Sequence, residues 1–263
     1  MAALTIAGDA RALAEAAAER LATLVEQAAA ERGSATLCLT GGSTPRDLYA
    51  LLADPRRPWR GRVPWPRMHL FWGDERHVPP EHADSNFGMA AAAMIHHVPV
   101  AGSQVHRLRG EIADAAAAAR EYAGELAAGF ARAGRADRTF DVMLLGLGED
   151  AHIASIFPGS ELLVRRPGTD GRPPSGLADD DRVAAVWAPH LGAWRITLTP
   201  DAILDARAIV MLVAGAAKAD AVHAALEGPA DVARWPAQLL RDADARVEWF
   251  VDRAAASRLR RAV

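Results

Sequence analysis

The sequence predicts an α/β protein with a largely parallel sheet that is covered by helices on both faces. Two observations predict it: short apolar runs alternate with segments of helical periodicity, and several of the runs end at glycine. The runs are solidly apolar and do not alternate with polar residues, which is typical of strands buried on both faces.

The predicted elements follow in order along the chain. Residues 10–32 place apolar side chains at three- and four-residue spacing, which predicts a helix that ends at Gly33. Apolar runs predict strands at 35–40, 68–72, 140–145, 195–198, 208–213 and 246–251. Helical patterns lie at 46–53, 84–95 and 111–133, after residue 215 as far as Leu226, and beyond the last strand.

Residues 165–182 (RRPGTDGRPPSGLADDDR) are dense in proline, glycine and charge, which is typical of an exposed, mobile loop. No other segment resembles a linker, and no internal repeat is present. The 263 residues therefore predict a single domain that spans residues 1–263.

Composition excludes several classes of protein. Apolar residues make up 51% and charged residues 24% of the chain, which excludes disorder of the whole chain. The net charge is −3 with no long basic block, so no nucleic-acid or anionic-membrane partner is expected. No uncharged apolar stretch approaches the roughly 18 residues of a membrane span, and the N-terminus lacks the apolar core of a signal peptide. We therefore expect a soluble, cytoplasmic protein. We expect a monomer, because no exposed apolar stripe is evident.

Cysteine and histidine usage gives no indication of a cofactor. Cys38 is the single cysteine and lies within a predicted strand, so we interpret it as a core residue. The nine histidines form no HxH or HExxH pattern, and neither a metal nor another cofactor is expected. His96 and His97 are interpreted as surface residues. The absence of a GxSxG motif excludes a serine hydrolase of the nucleophile-elbow type.

Four predicted strands are followed at once by small or polar residues: GGSTP at 41–45, GDERH at 73–77, GLGEDAH at 146–152 and AGAAK at 214–218. In a parallel α/β sheet the carboxyl ends of the strands carry the ligand crevice. We therefore expect these four loops to lie along one edge of the sheet and to share one site.

The segment Gly41-Gly42-Ser43-Thr44 suits a phosphate group. Its glycines let the backbone approach closely, its hydroxyls donate, and the helix that follows presents free N–H groups. It matches neither the Walker A nor the GxGxxG pattern. A plain β–α turn with a hydroxyl N-cap is the alternative interpretation.

Arg76 can form a bidentate pair with a phosphate, held in place by Asp74 or Glu75. Charged residues after a buried strand are also common as helix caps or surface turns. Ser85 and Asn86 precede an apolar helix, where they can cap its N-terminus or reach a ligand.

Asp150 and His152 are two residues apart, which on an extended or turning backbone puts both side chains on one side. A carboxylate beside a histidine fixes the tautomer of the imidazole and raises its basicity, as a general base requires. In the alternative interpretation, Asp150 caps the segment 153–157 and His152 is exposed in its first turn.

Lys218 is the only lysine of the chain and lies at the start of a predicted helix, where its charge opposes the helix dipole unless an anion is close. Arg195 opens a predicted strand. For both residues a solvated cation is the alternative.

Five ordered blocks resemble the 6-phosphogluconolactonase family over nearly the whole chain: LTGGSTPRDLY (39–49), FWGDERHVPPEHADSNFGMA (71–90), LLGLGEDAHIASIFPGS (144–160), RITLTP (195–200) and VAGAAKADAV (213–222). The resemblance implies a Rossmann-like three-layer α/β/α fold without a dinucleotide, shared with glucosamine-6-phosphate deaminase and ribose-5-phosphate isomerase. It implies hydrolysis of 6-phospho-D-glucono-1,5-lactone to 6-phospho-D-gluconate in the oxidative pentose phosphate pathway.

The same resemblance implies roles for individual residues. It makes His152 the general base and Asp150 its partner, while Arg76 and Lys218 hold the phosphate beside the loop of residues 41–44. Further family positions near the site are Gly41, Gly42, Ser43, Thr44, Asp74, Ser85, Asn86 and Arg195.

One departure from the family pattern and one comparison with a related family bear on that implication. Ala151 stands where the family usually has glycine, which costs about 1 kcal/mol or more if φ is positive there. Glucosamine-6-phosphate deaminases carry an acidic residue in place of Phe157 and a tyrosine in place of Arg76, so deamination is the weaker hypothesis. A non-catalytic sugar-phosphate sensor is a further alternative.

Overall fold

The structure, a computed structural model, describes residues 2–163 and 182–260. Its strands are β1 (Ala3–Ala7), β2 (Ala35–Leu39), β3 (Met68–Trp72), β4 (Asp74–Arg76), β5 (Val142–Leu145), β6 (Val183–Ala188), β7 (Ala193–Leu198), β8 (Ile209–Val213) and β9 (Val247–Asp252). Within the described residues, six strands form a parallel sheet in the order β1-β9-β8-β5-β2-β3. The strands β4, β7 and β6 form a smaller antiparallel sheet in that order.

The α-helices are α1 (Ala10–Arg32), α2 (Ser43–Ala53), α3 (Pro58–Arg62), α4 (Asn86–Ala93), α5 (Ala115–Arg132), α6 (Pro200–Leu204) and α7 (Ala219–Leu226). Local sequence sets the ends of α1. The Asp9 carboxylate accepts a hydrogen bond from the Ala12 N–H at 2.8 Å, and Gly33 ends the helix with a φ of 82°.

The parallel sheet separates two apolar cores. Along β5, the side chains of Val142 and Leu144 join the core that contains α1 and α2, whereas Met143 and Leu145 join the core that contains α5 and α7. This alternation follows from the two-residue period of a strand. Helices therefore cover both faces of the sheet, and the predicted three-layer fold with a largely parallel sheet is confirmed.

All six predicted strands are present, although the strand predicted at 140–145 begins only at residue 142. The predictions missed β1, β4 and β6, and 195–198 belongs to the small antiparallel sheet. The prediction of a helix after the last strand is wrong, because residues 253–260 form turns. Residues 111–114 precede α5, which begins after its N-cap Asp114.

Other predictions can be placed on the structure. Cys38 is fully buried, and His96 and His97 are exposed, as interpreted from the sequence. Apart from residue 182, the predicted loop at 165–182 lies outside the described residues. Among the helices of the described chain, none is long and apolar enough to cross a membrane.

A buried carboxylate joins elements at the amino-terminal end of β5. Asp141 accepts hydrogen bonds from Arg32 at 2.8 Å and from Arg135 at 3.0 Å. It also accepts the backbone N–H of Thr36 at 2.9 Å, which links it to β2. Since the side chains of Asp141 and Arg135 are 1% and 5% exposed, this ion pair is desolvated.

Two stacked histidines join β3 to the segment before α5. Nδ1 of His69 lies 3.0 Å from Nε2 of His106, whose Nδ1 lies 2.7 Å from the Glu125 carboxylate and 3.0 Å from Arg132. Burial, together with the positive charges nearby, lowers the pKa of His69 to about 4. Burial also lowers the pKa of His106, although Glu125 acts in the opposite direction.

We expect His69 to destabilise the fold in mild acid. In the unfolded chain it binds a proton below its ordinary pKa of 6.5, whereas in the folded chain it stays neutral down to about 4. Stability is therefore lost as the pH falls through this window, by up to about 1.4 kcal/mol per pH unit. Urea unfolding across the window, compared between the wild type and His69→Gln, measures the contribution of His69.

The control is His96→Gln, which changes an exposed histidine. The free energy of unfolding should depend less steeply on pH in His69→Gln than in the wild type or the control. Equal slopes in all three proteins would contradict a buried, neutral His69.

Candidate active site

A cavity of about 410 Å³ opens at the carboxyl edge of the parallel sheet, and all four loops that were expected to converge contribute to its lining. The loop after β2 supplies Gly41 and Gly42, and the segment after β3 supplies Asp74 and Arg76. The loop after β5 supplies Gly146, Gly148 and His152, and the loop after β8 supplies Lys218. Arg195 of β7 and Asn86 of α4 complete the set of expected residues in the lining.

Four of the residues expected at the site do not line the cavity: Ser43, Thr44, Ser85 and Asp150. Ser43 and Thr44 lie in the first turn of α2. Ser85 is the N-cap of α4, and its hydroxyl accepts the Gly88 N–H at 3.0 Å. Asp150 contacts the cavity-lining His152 instead.

Asp150 and His152 form a hydrogen-bonded pair, with 2.6 Å between Oδ1 and the ring Nδ1. Burial raises the pKa of the Asp150 carboxyl, but the hydrogen bond and charge of His152, with backbone N–H groups, lower it further, to about 2. The carboxylate is therefore ionised at neutral pH and can only accept. Nδ1 consequently carries the proton, and Nε2 is left with a free lone pair.

The backbone around His152 is held in a left-handed conformation. Ala151 has a φ of 62° and Ala154 a φ of 47°, both in the region that disfavours residues with a Cβ. The Ala151 N–H donates to the Gly148 carbonyl at 3.1 Å, and its own carbonyl accepts the Ala237 N–H at 2.9 Å. These bonds hold the strained turn that places Asp150 and His152 side by side.

Gly148 is a site residue that the sequence analysis did not single out. A Cβ built on Gly148 would overlap Nδ1 of His152 and Oδ1 of Asp150. Only glycine leaves room for their hydrogen bond. Its sequence signal is the second glycine of the Gly-Leu-Gly segment after β5.

Three cations line the cavity: Arg76, Arg195 and Lys218. The antiparallel register of β4 and β7 places Arg76 directly opposite Arg195, an arrangement that is unfavourable for like charges. Burial and the charge of Arg76 lower the pKa of Arg195. Lys218 joins them from the start of α7, and none of the three forms an ion pair with any described residue. Such a cluster suits a phosphate dianion.

The expectation that Asp74 or Glu75 holds the Arg76 guanidinium is wrong. The guanidinium donates to the backbone carbonyl of Asp84 instead. Both acidic side chains are buried and accept hydrogen bonds from neutral donors instead.

Asp74 is held by two neutral donors. Its Oδ2 accepts the Ser155 hydroxyl at 2.6 Å, and the Asn86 amide donates to its Oδ1 at 3.3 Å and to its carbonyl at 2.9 Å. Oδ1 of Asn86 packs against Gly41, where a Cβ would overlap it. Asp74 thus faces the cavity as a hydrogen-bond acceptor that forms no ion pair with any described residue.

Glu75 is 1% exposed and anchors the N-terminus of α4. Its carboxylate accepts the N–H groups of Arg76, Asn86 and Phe87 at 2.7–2.9 Å and the Ser85 hydroxyl at 3.2 Å. Burial raises the pKa of Glu75, although these backbone hydrogen bonds act in the opposite direction. It fixes the positions of Arg76 and Asn86 at the cavity.

One wall of the cavity is apolar and aromatic. Phe157 packs against the His152 ring at 4.6 Å between ring centroids, and His190 and Leu191 reach the cavity from the turn between β6 and β7. The sequence carried no signal for His190 or Leu191, because β6 was not predicted. Among the described residues, no group of three or more His, Cys, Asp or Glu side chains is placed to hold a metal ion.

The fold and the site define a class: three-layer α/β proteins with a cavity, lined by several cations, at the carboxyl edge of a parallel sheet. The chain belongs to the family described as glucosamine-6-phosphate isomerases/6-phosphogluconolactonase, whose model matches residues 8–249.

Individual relatives cover most of the chain. It is 38% identical to the 6-phosphogluconolactonase of Streptomyces coelicolor over 99% of this chain and 95% of the relative. The solved 6-phosphogluconolactonase of Trypanosoma brucei is 30% identical, with a TM-score of 0.78 over 98% of this chain and 99% of that one. A monomeric glucosamine-6-phosphate deaminase shares the fold at 22% identity, with a TM-score of 0.75 over 97% of this chain and 99% of that one.

The positive φ of Ala151 leads to a stability prediction. Ala151→Gly relieves about 1 kcal/mol of backbone strain but gives up a buried methyl worth about 0.8 kcal/mol, so the two nearly cancel. Ala118→Gly, at an equally buried helical position, should instead lose at least about 1 kcal/mol. Urea denaturation of both variants makes the comparison, and an equal loss at residue 151 would contradict a strained φ there.

Proposed function

We propose that the protein hydrolyses 6-phospho-D-glucono-1,5-lactone to 6-phospho-D-gluconate in the oxidative pentose phosphate pathway. The observation that carries the proposal is the presence, in one cavity, of the Asp150-paired imidazole of His152 and the unpaired cations Arg76, Arg195 and Lys218. The family membership and the names of the relatives support the same reaction.

In the proposed mechanism, Nε2 of His152 takes a proton from a water molecule while the oxygen of that water attacks C1 of the lactone. The ionised Asp150 stabilises the imidazolium that forms, because its Oδ1 accepts a hydrogen bond from Nδ1–H, with 2.6 Å between the two atoms. As the tetrahedral intermediate collapses, the bond from C1 to the ring oxygen breaks, and the ring oxygen takes the proton from Nε2. Neither a metal nor a covalent intermediate is needed for these steps.

The other groups orient the substrate and stabilise charge. Arg76, Arg195 and Lys218 bind the phosphate and so fix the distance from it to the lactone carbonyl. Gly42 is the N-cap of α2 and offers no side chain, so the N-terminal amides of α2 supply donors for the oxyanion or for the phosphate. Asp74 accepts hydrogen bonds from substrate hydroxyls.

Glucosamine-6-phosphate deamination is the weaker hypothesis for a physical reason. Phe157 occupies the position of the deaminase acid and packs against His152, so the proton that deamination requires has no carboxyl donor there. A sensor function would not require the Asp150–His152 pair. We further propose a monomer that acts in the cytoplasm on this small substrate, without a nucleic-acid partner.

Replacing His152 tests the mechanism. His152→Asn should lower kcat by about 10²–10⁴-fold with KM nearly unchanged, because the cations that bind the phosphate are untouched. Glucose-6-phosphate dehydrogenase can generate the lactone in situ, and a downstream 6-phosphogluconate dehydrogenase can report its hydrolysis as NADPH. Unaltered kcat would discard the histidine base, and no acceleration by the wild type would discard the proposed reaction.

Replacing Arg195, which lies opposite Arg76, should weaken substrate binding without lowering the stability of the fold. Arg195→Met should raise KM at least about tenfold, since a charge-assisted hydrogen bond to phosphate is lost. Its Tm should hold or rise, because the repulsion from Arg76 disappears. The control, Arg20→Met, breaks the ion pair with Glu248 and should lower Tm without changing KM. A fall in Tm for Arg195→Met with unchanged KM would contradict the assignment.

A further inference from the structure

Three aromatic rings form a continuous row at the cavity. The rings of His152 and Phe157 lie 4.6 Å apart between centroids and are tilted by 50°. The His190 ring meets Phe157 edge-on, at 4.8 Å and 72°. His190 comes from the turn between β6 and β7, so this row connects the small antiparallel sheet to the loop after β5.

The hydrogen bond to Asp150 does not by itself fix the imidazole. It holds one atom, Nδ1, and leaves the ring free to swing about that atom, while the His152 side chain is 32% exposed to solvent. The backbone of Gly148 closes one approach to the ring, since a Cβ there would overlap it. The Phe157 ring, which belongs to the cavity wall, packs against the imidazole of His152.

We propose that Phe157, held in place by His190, is a positioning residue that sets the orientation of the His152 imidazole. This inference rests on the proposed function for its effect on rate. A general base must direct its lone pair at the attacking water, and misplacement by about 1 Å costs about 10²-fold in rate.

Substitutions at residue 157 test this role. Phe157→Ala should lower kcat about tenfold and leave KM nearly unchanged, because the cations of the phosphate site are not replaced. Phe157→Tyr keeps the aromatic ring and should retain the wild-type kcat. The matched control is Phe87→Ala, which removes another half-buried phenylalanine, packed on Trp72 and away from His152. Its kcat should not change.

The ring ¹⁵N chemical shifts of His152 supply a readout that needs no activity. In the wild type and in Phe157→Tyr they should report a single tautomer with the proton on Nδ1. In Phe157→Ala the proton should stay on Nδ1, because Asp150 still accepts its hydrogen bond, but the Nε2 resonance should shift and broaden, because the ring swings about Nδ1. His190→Ala should shift the spectrum in the same direction by a smaller amount, because it removes only the support of Phe157.

The two proposals fail separately. If the wild type does not accelerate lactone hydrolysis, the proposed function is overturned, whatever the spectra show. If Phe157→Ala keeps the wild-type ring ¹⁵N shifts and line widths of His152 and the wild-type kcat, the positioning role is overturned and the proposed function stands. A loss of kcat equal to that in Phe87→Ala would also overturn it, since the loss would then be a general effect on the fold.

Discussion

The buried carboxylate of Glu75 is the constraint on which the arrangement of the cavity depends. It gathers three backbone N–H groups and one hydroxyl from β4 and the start of α4, and so ties two elements that are otherwise joined by a surface segment. Because Arg76 and Asn86 each donate to it through the backbone, their side chains are free to face the cavity. A polar group that is fully buried and fully bonded leaves few alternative arrangements for this edge of the sheet. The geometry of the anion site is therefore set before any ligand binds.

Much of the fold could be predicted because buried parallel strands have a recognisable sequence pattern. The apolar runs of β2, β3, β5 and β8 end at loops rich in glycine, and all of these elements were found from that pattern. Among the missed strands, β4 lacks this pattern. The strand β4 consists of three charged residues, 74–76, and pairs with a segment that is distant along the chain. The residues of β1 lie at the edge of the sheet and are largely exposed, so neither burial nor alternation revealed them.

The site, like the fold, was predicted in part from the sequence. Position after a buried strand identified the four loops, and spacing identified Asp150 with His152. The contacts that hold these residues in place could not be predicted from the sequence, because they depend on distances between atoms in the folded chain. That Gly148 leaves space for an imidazole, or that Arg76 opposes Arg195, follows only once the chain is folded. His190 belongs to a hairpin whose first strand was not predicted.

Positive charge is paired differently at the two ends of the parallel sheet. Arg135 is paired with Asp141 at one end, while the cations of the cavity form no ion pair with any residue that the structure describes. In the proposed reaction the phosphate passes unchanged from lactone to acid. The cations then contact substrate and product alike, and such uniform binding lowers KM without raising kcat. Product bound through the same phosphate competes with the next lactone molecule. Flux through the enzyme consequently depends on how quickly the acid is removed, as well as on how quickly the ring is opened.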